Sequence, residues 1–184
     1  AYFAAIKALG MLFLFVLPIH AIEYAVKRDG SGSFATIQAC ANVATPGDQC
    51  TVYPGLYAEH VKTVTGGTSD KRILFKAAGV VQMQGFDIQH PFVTIDGFDI
   101  TGYNSPYDGH IVVLSGGHNC HILNNTIRDV VLKVYGIQVV LSGQGANNCS
   151  VRDNRLSNLQ YPFLSIFGDN HIFERNTFEY ANNM

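Results

Sequence analysis

The apolar and polar positions of this chain follow neither a steady alternation nor a helical period; they form a motif that returns. CHILNNTI at Cys120–Ile127 reappears as CSVRDNRL at Cys149–Leu156 and as HIFERNTF at His171–Phe178. Each copy has two core-type residues one position apart, an Asn three residues on, and an apolar residue two beyond it. A frame of paired apolar positions carries the pattern back through the chain: Val52/Tyr57, Phe75/Val80, Ile95/Ile100, Ile122/Ile127, Val151/Leu156 and Phe173/Phe178. The steps between first members are 23, 20, 27, 29 and 22 residues. Such uneven steps do not fit an array of helical repeats, whose unit length is nearly constant, and suit stacked coils whose loops vary on one side.

A second strand precedes the motif at Ile111–Gly116 and Ile137–Gly143, and less cleanly at Tyr161–Gly168. Each full repeat then reads as strand, Gly-rich turn, strand, Asn turn and short strand. Continuous apolar runs such as Val112-Val113-Leu114 suit parallel strands buried on both faces. Stacking in register predicts one inward column of Val93, Cys120, Cys149 and His171, and a second of Ile95, Ile122, Val151 and Phe173. Asn125, Asn154 and Asn176 form an internal ladder at a bend, with Phe98 covering its end; Asn tolerates the left-handed conformation that bends require.

Upstream, Glu23–Lys27 reads as an entry strand. Phe34–Ala44 carries Phe34, Ile37, Ala41 and Ala44 at helical spacing with Ser33 as N-cap, and Pro46-Gly47-Asp48 ends the helix. Thr51–Tyr53 is the next strand and Pro54-Gly55 a turn. Cys40 and Cys50 flank the Pro-Gly-Asp turn and are placed for a local disulfide. Cys120 and Cys149 stand at one position of successive repeats and read as buried thiols of a ladder, because their Cβ vectors run parallel.

The chain has 184 residues, a formal charge of −2 and 14% charged residues, which suits one domain with a sizeable core. No basic patch of the kind that engages phosphates is present, so nucleic acid is not an expected partner. Lys7 precedes the apolar run Ala8–Leu17, which is too short for a membrane span of about 20 apolar residues. Residues 1–21 are therefore read as a secretory signal, 22–50 as entry strand and capping helix, and 51–184 as coils. Secretion to an extracellular or periplasmic space follows, with no stable membrane span. Solenoids need closing elements at both ends. Met184 directly follows a clean repeat, so the expectation is a fragment whose later coils are missing.

The pattern resembles the right-handed parallel β-helix of the pectin lyase-like superfamily. The opening segment adds to the likeness, with Thr36-Ile37-Gln38 in the helix that closes such a coil, then Pro46-Gly47-Asp48 and Pro54-Gly55-Leu56-Tyr57 leading into the first turn. The expected architecture is all-β, about six coils with a short N-terminal capping helix. The resemblance implies a carbohydrate-active protein, in the first instance a polysaccharide lyase cleaving uronic-acid polymers by β-elimination. The alternative it leaves open is a non-catalytic adhesin or glycan-binding stalk.

Candidate chemistry lies on the rows beside the inward columns. Register places Asp96, Asp99, His121, Arg152 and Arg155 on one outer patch, with Glu174 at its edge. β-Elimination needs a cation to neutralise the uronate carboxylate and a base to take the α-proton. By position Asp96 and Asp99 are candidate Ca²⁺ ligands, and Arg152, Arg155 and His121 candidate catalytic groups. The same Arg152 also sits in column with Glu174, where the two form a surface ion pair. Tyr103, Tyr107, Arg128 and Lys133, in the loops beside the coil, are candidate contacts to an acidic polysaccharide.

Overall fold

The computed structural model describes residues 20–102, 109–130, 135–139, 146–159 and 164–181. Among these, nearly all regular structure is strand, and every pairing is parallel. Sheet A has seven strands: Glu23–Val26, Gln49–Val52, Ile73–Ala77, Val93–Asp96, His121–Leu123, Ser150–Arg152 and Ile172–Glu174. Sheet B has six: Gly55–Leu56, Val81–Met83, Asp99–Ile100, Thr126–Val130, Arg155–Leu159 and Thr177–Ala181. Sheet C has five: His60–Lys62, Gly85–Ile88, Gly109–Val113, Tyr135–Val139 and Leu164–Ile166. The chain passes A to B to C and climbs one level each time, giving about five complete turns and the start of a sixth. This is a right-handed parallel β-helix.

The core is the interior of the coil. Ile95, Ile122 and Val151 are fully buried in one column, and Val93, Cys120 and Cys149 in the next. Phe75, Phe86 and Phe98 pack ring against ring, with centroids 5.6 and 5.2 Å apart. Burial of this apolar column, at about 25 cal/mol per Å², is the principal stabilising term. Phe173 and Phe178, in the last described strands, are 36% and 45% exposed.

The Asn ladder is present at the A-to-B corner. Asn154 Nδ2 donates to Asn176 Oδ1 at 3.0 Å, and Asn125 Oδ1 accepts from the Phe98 backbone N–H at 2.9 Å. The left-handed residue is one position earlier than the ladder itself: Asn124, Asp153 and Arg175 have φ of 56, 57 and 54°, with Gly97 at 84°. That residue turns the chain so that the ladder Asn can point inward.

Three sequence expectations are corrected. The helix, α1, covers only Ile37–Ala41, and its N-cap is Thr36, whose hydroxyl accepts from Ala39 N at 3.2 Å. Ser33 and Phe34 are taken up by pairing with the entry strand, through Ala25 N to Ser33 Oγ and a Val26–Phe34 bridge. The first two frame positions shift, since Phe75 pairs with Cys50 rather than Val52 and Ile100 with Met83 rather than Val80. A two-residue slip keeps the same face inward, so Val52 stays buried. Val80 stands on an inserted turn and is 74% exposed. Last, the strand read from Ile111 begins at Gly109, so it takes in His110, which is buried.

The closing motifs have physical tasks. Buried Asp48 accepts from Ile22 N at 2.8 Å and from Thr45 N and Oγ1 at 2.8 and 2.9 Å, closing the turn after α1. Glu59 in the first coil accepts from Ile37 N and Gln38 N at 3.1 and 3.0 Å, satisfying the helix N-terminus. Cys40 and Cys50 form a disulfide, and Cys120 and Cys149 are buried free thiols. No helix among the described residues is long and apolar enough to cross a membrane.

Candidate functional site

The outer face of sheet A carries two rows. One runs Leu74, Thr94, His121, Ser150 and Ile172; the other runs Lys76, Asp96, Leu123, Arg152 and Glu174. His121 is half-buried in the first row, and its pKa is lowered to about 4 by desolvation and then by the positive charges of Arg72 and Arg152. At neutral pH its imidazole is an uncharged proton acceptor beside two guanidiniums. Arg72 lies just before the strand Ile73–Ala77 and reaches across the row. Its Nε donates to Thr94 Oγ1 at 3.0 Å, and Nη2 to the carbonyls of Val93, at 3.2 Å, and Asn119. Thr94 and Ser150, although they stand in this outer row, are 7% and 5% exposed. Arg72 hydrogen-bonds over Thr94, and Ser150 is flanked in register by the larger His121 and Ile172.

Arg152 Nε lies 3.1 Å from Glu174 Oε2 without a well-directed hydrogen bond. Glu174 is shared with Arg175 at 3.2 Å, and Arg175 also grips Asp153 with bonds of 2.6 and 2.8 Å. Arg152 therefore keeps a weakly engaged guanidinium at the edge of the His121 environment.

The remaining predicted residues stand around the corner, on sheet B. Asp99 accepts a bidentate pair from Arg128 Nε and Nη2, both at 2.8 Å, and Arg128 Nη1 also binds Asp129. These bonds raise the Arg128 pKa above its ordinary value. Arg155 Nη2 pairs with Glu179 at 2.6 Å. Gly79, Val80, Gly97, Asp99, Arg128 and Arg155 line a shallow groove of about 330 Å³. The patch thus divides: His121, Arg152 and Asp96 belong to sheet A, and Asp99, Arg128 and Arg155 to the groove on sheet B. Asp96 accepts from Asn124 Nδ2 at 2.8 Å. Both oxygens of Asp99 are occupied by Arg128, which fits a Ca²⁺ ligand poorly, and no group of three His, Cys, Asp or Glu among the described residues is placed to hold a metal. Tyr103, Tyr107 and Lys133 lie outside the described residues.

Sequence reasoning missed Arg72 and a buried cluster on sheet C. His60 Nε2 lies 2.8 Å from Asp87 Oδ1, with side chains 3% and 0% exposed. Gly85 separates His60 from His110 in the same row, and a Cβ there would come within 2.7 Å of His60 Cε1 and 2.0 Å of the His110 carbonyl oxygen. The glycine lets the imidazole lean over the backbone to reach Asp87. His110 Nδ1 is 3.1 Å from Gln84 O, and burial lowers its pKa to about 4. The polar–apolar step shared by His60-Val61 and His110-Ile111 was a usable signal. It went unread because the frame was anchored on the Asn motif, which sheet C lacks. The cluster is sealed from a polymer and serves the coil.

The chain superposes on a rhamnogalacturonan lyase with a TM-score of 0.52 over 89% of its length, at 14% identity. The two chains share the fold of a parallel β-helix. The chain spans 64% of that lyase, less than two thirds of it. An alginate lyase from Paenibacillus aligns with a TM-score of 0.49 and 12% identity, over 88% of this chain and 77% of the other. No family model and no curated protein matches the chain by sequence. At 14% identity the likeness to the rhamnogalacturonan lyase is one of fold, and site residues must be argued from this chain alone.

Proposed function

We propose that this chain is a secreted carbohydrate-active β-helix, a polysaccharide lyase or relative acting on uronic-acid polymers by β-elimination. The observation that carries the reading is His121, uncharged at neutral pH and set beside the guanidiniums of Arg72 and Arg152 on the open face of a lyase-type coil. The imidazole nitrogen takes the proton α to the uronate carboxyl. The electron pair left behind forms the carbon–carbon double bond, and the β C–O bond breaks, its oxygen leaving with a proton from solvent. Arg152 lowers the cost of the negative charge that builds on the carboxylate. Secretion is supported by the Lys7 and Ala8–Leu17 pattern and by the Cys40–Cys50 disulfide, which suits an oxidising compartment.

A second reading, a glycan-binding stalk, is favoured by the neutralised ion-pair ladders Asp99–Arg128–Asp129 and Asp153–Arg175–Glu174. Incubation with pectate, alginate and chondroitin, each with Ca²⁺ or chelator, separates the two by the absorbance of unsaturated product. Product lost in His121→Ala supports the lyase. Binding with no product from any polyuronate supports the stalk.

A further inference from the structure

Arg72 differs from the other arginines beside the outer rows. Arg128, Arg152, Arg155 and Arg175 each lie within 4.0 Å of an Asp or Glu, whereas Arg72 has no carboxylate at that range among the described residues. Arg28 also lacks one but is exposed to water. Arg72 is half-buried, which lowers its pKa. Three of its five N–H groups are spent on the neutral oxygens of Thr94, Val93 and Asn119, and its guanidinium lies 5.8 Å from the Phe92 ring centre. These contacts fix the fork, and the two N–H groups on Nη1 have no partner among the described residues. A positive charge held rigid, partly out of water and without a counter-charge is an unfinished ion pair.

The same row supplies the rest. Ser150 Oγ is buried with no hydrogen-bond partner, and Ser150 is the register neighbour of His121. Orphaned buried hydroxyls are uncommon and mark a place where a partner is missing. His121, being uncharged, is free to accept or donate one further bond. The two hydrogens left on Nη1 diverge from one nitrogen, so Arg72 offers its charge and single hydrogen bonds, and one unpaired positive charge matches a singly charged carboxylate better than a divalent tetrahedral anion.

We propose that Arg72, with Ser150, forms a binding site for the carboxylate of a sugar acid beside His121, and that Arg72 is the residue that distinguishes a uronate from a neutral sugar. This rests on the acidic-glycan reading above, and assigns recognition to a residue outside the Asn motif.

The test is proton NMR titration of the full chain, following the His121 ring signal with oligogalacturonate, its methyl ester and a sulfated galactan oligomer. Oligogalacturonate should move the signal and raise the His121 titration midpoint, while the methyl ester does neither. Arg72→Met should weaken oligogalacturonate binding about tenfold or more, and Ser150→Ala severalfold. If Arg72→Met fails to fold, Arg72→Lys, which keeps the charge and loses the contacts to Thr94, Val93 and Asn119 that fix its place, and Ser150→Ala decide. Equal affinity in these variants, or oligogalacturonate bound with the His121 signal unmoved, overturns the site. Tighter binding of the sulfated oligomer overturns the carboxylate assignment. Carboxylate-selective binding without unsaturated product leaves the site standing and removes the lyase. Product formed with an unchanged KM in Arg72→Met does the reverse.

Discussion

Asn154 Oδ1 accepts two bonds from Asn125, one from its backbone N–H at 2.9 Å and one from Nδ2 at 3.1 Å. Asn154 Nδ2, whose two hydrogens are shared among three acceptors, lies 2.9 Å from the Ile122 and Arg152 carbonyl oxygens and 3.0 Å from Asn176 Oδ1. One side chain therefore satisfies buried polar groups of three successive coils. Asn154→Ala would orphan several of them at once and should destabilise the chain by about 3–5 kcal/mol in urea or thermal unfolding. Asn124→Gly, at the exposed left-handed position beside the ladder, should change stability by less than about 1 kcal/mol.

Cys120 and Cys149 are register neighbours, shielded from solvent at 0% and 1% exposure. Burial raises the Cys120 pKa, so it holds little thiolate at neutral pH. A maleimide should label neither thiol in the native chain and both after denaturation without reductant, with Cys40 and Cys50 labelled only once reduced. Intact mass counts the labels directly.

His110 is neutral in the folded chain, with a pKa lowered from 6.5 to about 4. The unfolded chain takes up its proton first as pH falls. Stability from this group is therefore fully present above about pH 6.5, is lost progressively down to pH 4, and changes no further below it. The loss is on the order of 3 kcal/mol. His110→Gln should flatten that limb of a stability-versus-pH series, and an unchanged slope would place the acid sensitivity elsewhere.

His121 as base gives the reaction an acid limb. Activity on a polyuronate should fall as pH drops towards about 4, where His121 takes up a proton. Removing one neighbouring positive charge by Arg152→Met should move that limb upward. A limb that stays in place in Arg152→Met, or persists in His121→Gln, assigns the base to another group.

Gly85→Ala forces a side chain into space held by the His110 carbonyl oxygen and the His60 ring. The backbone there has φ of 144°, so strain adds to the clash. The substitution should cost more than about 2 kcal/mol and disturb the His60–Asp87 pair, whose imidazole signals report it.

The coil was legible because its hydrophobic columns and Asn ladder are written as a short motif at matching offsets. Cys120, Ile122, Asn125 and Ile127 recur in the next repeat with nothing inserted between them, and stacking follows from that alone. The first two coils were misaligned because their corner lacks the Asn and because the turn at Ala78–Val80 lengthens the step from Phe75 to Met83. The helix was overdrawn because its spacing continues through Phe34, while the sequence carries no mark that Ser33 and Phe34 pair with a strand eight residues earlier.

The same division runs through the candidate site. Register alone set His121, Arg152 and Asp96 on one face, since in-register stacking converts an offset within the motif into a position on the surface. What it left open was which charges compensate each other, because long side chains choose partners across coils by reach. Arg128 turns to Asp99 and Arg155 to Glu179, while Arg152 shares Glu174 with Arg175. Arg72 lies outside the Asn motif, and only folding brings it over Thr94 and beside His121. The sequence by itself determined the coil, because burial and laddering act between residues at fixed offsets. Only the tertiary structure decided which of the described arginines meet a carboxylate and that Arg72 meets neutral oxygens instead, because that depends on side chains meeting across 22 to 47 residues of chain.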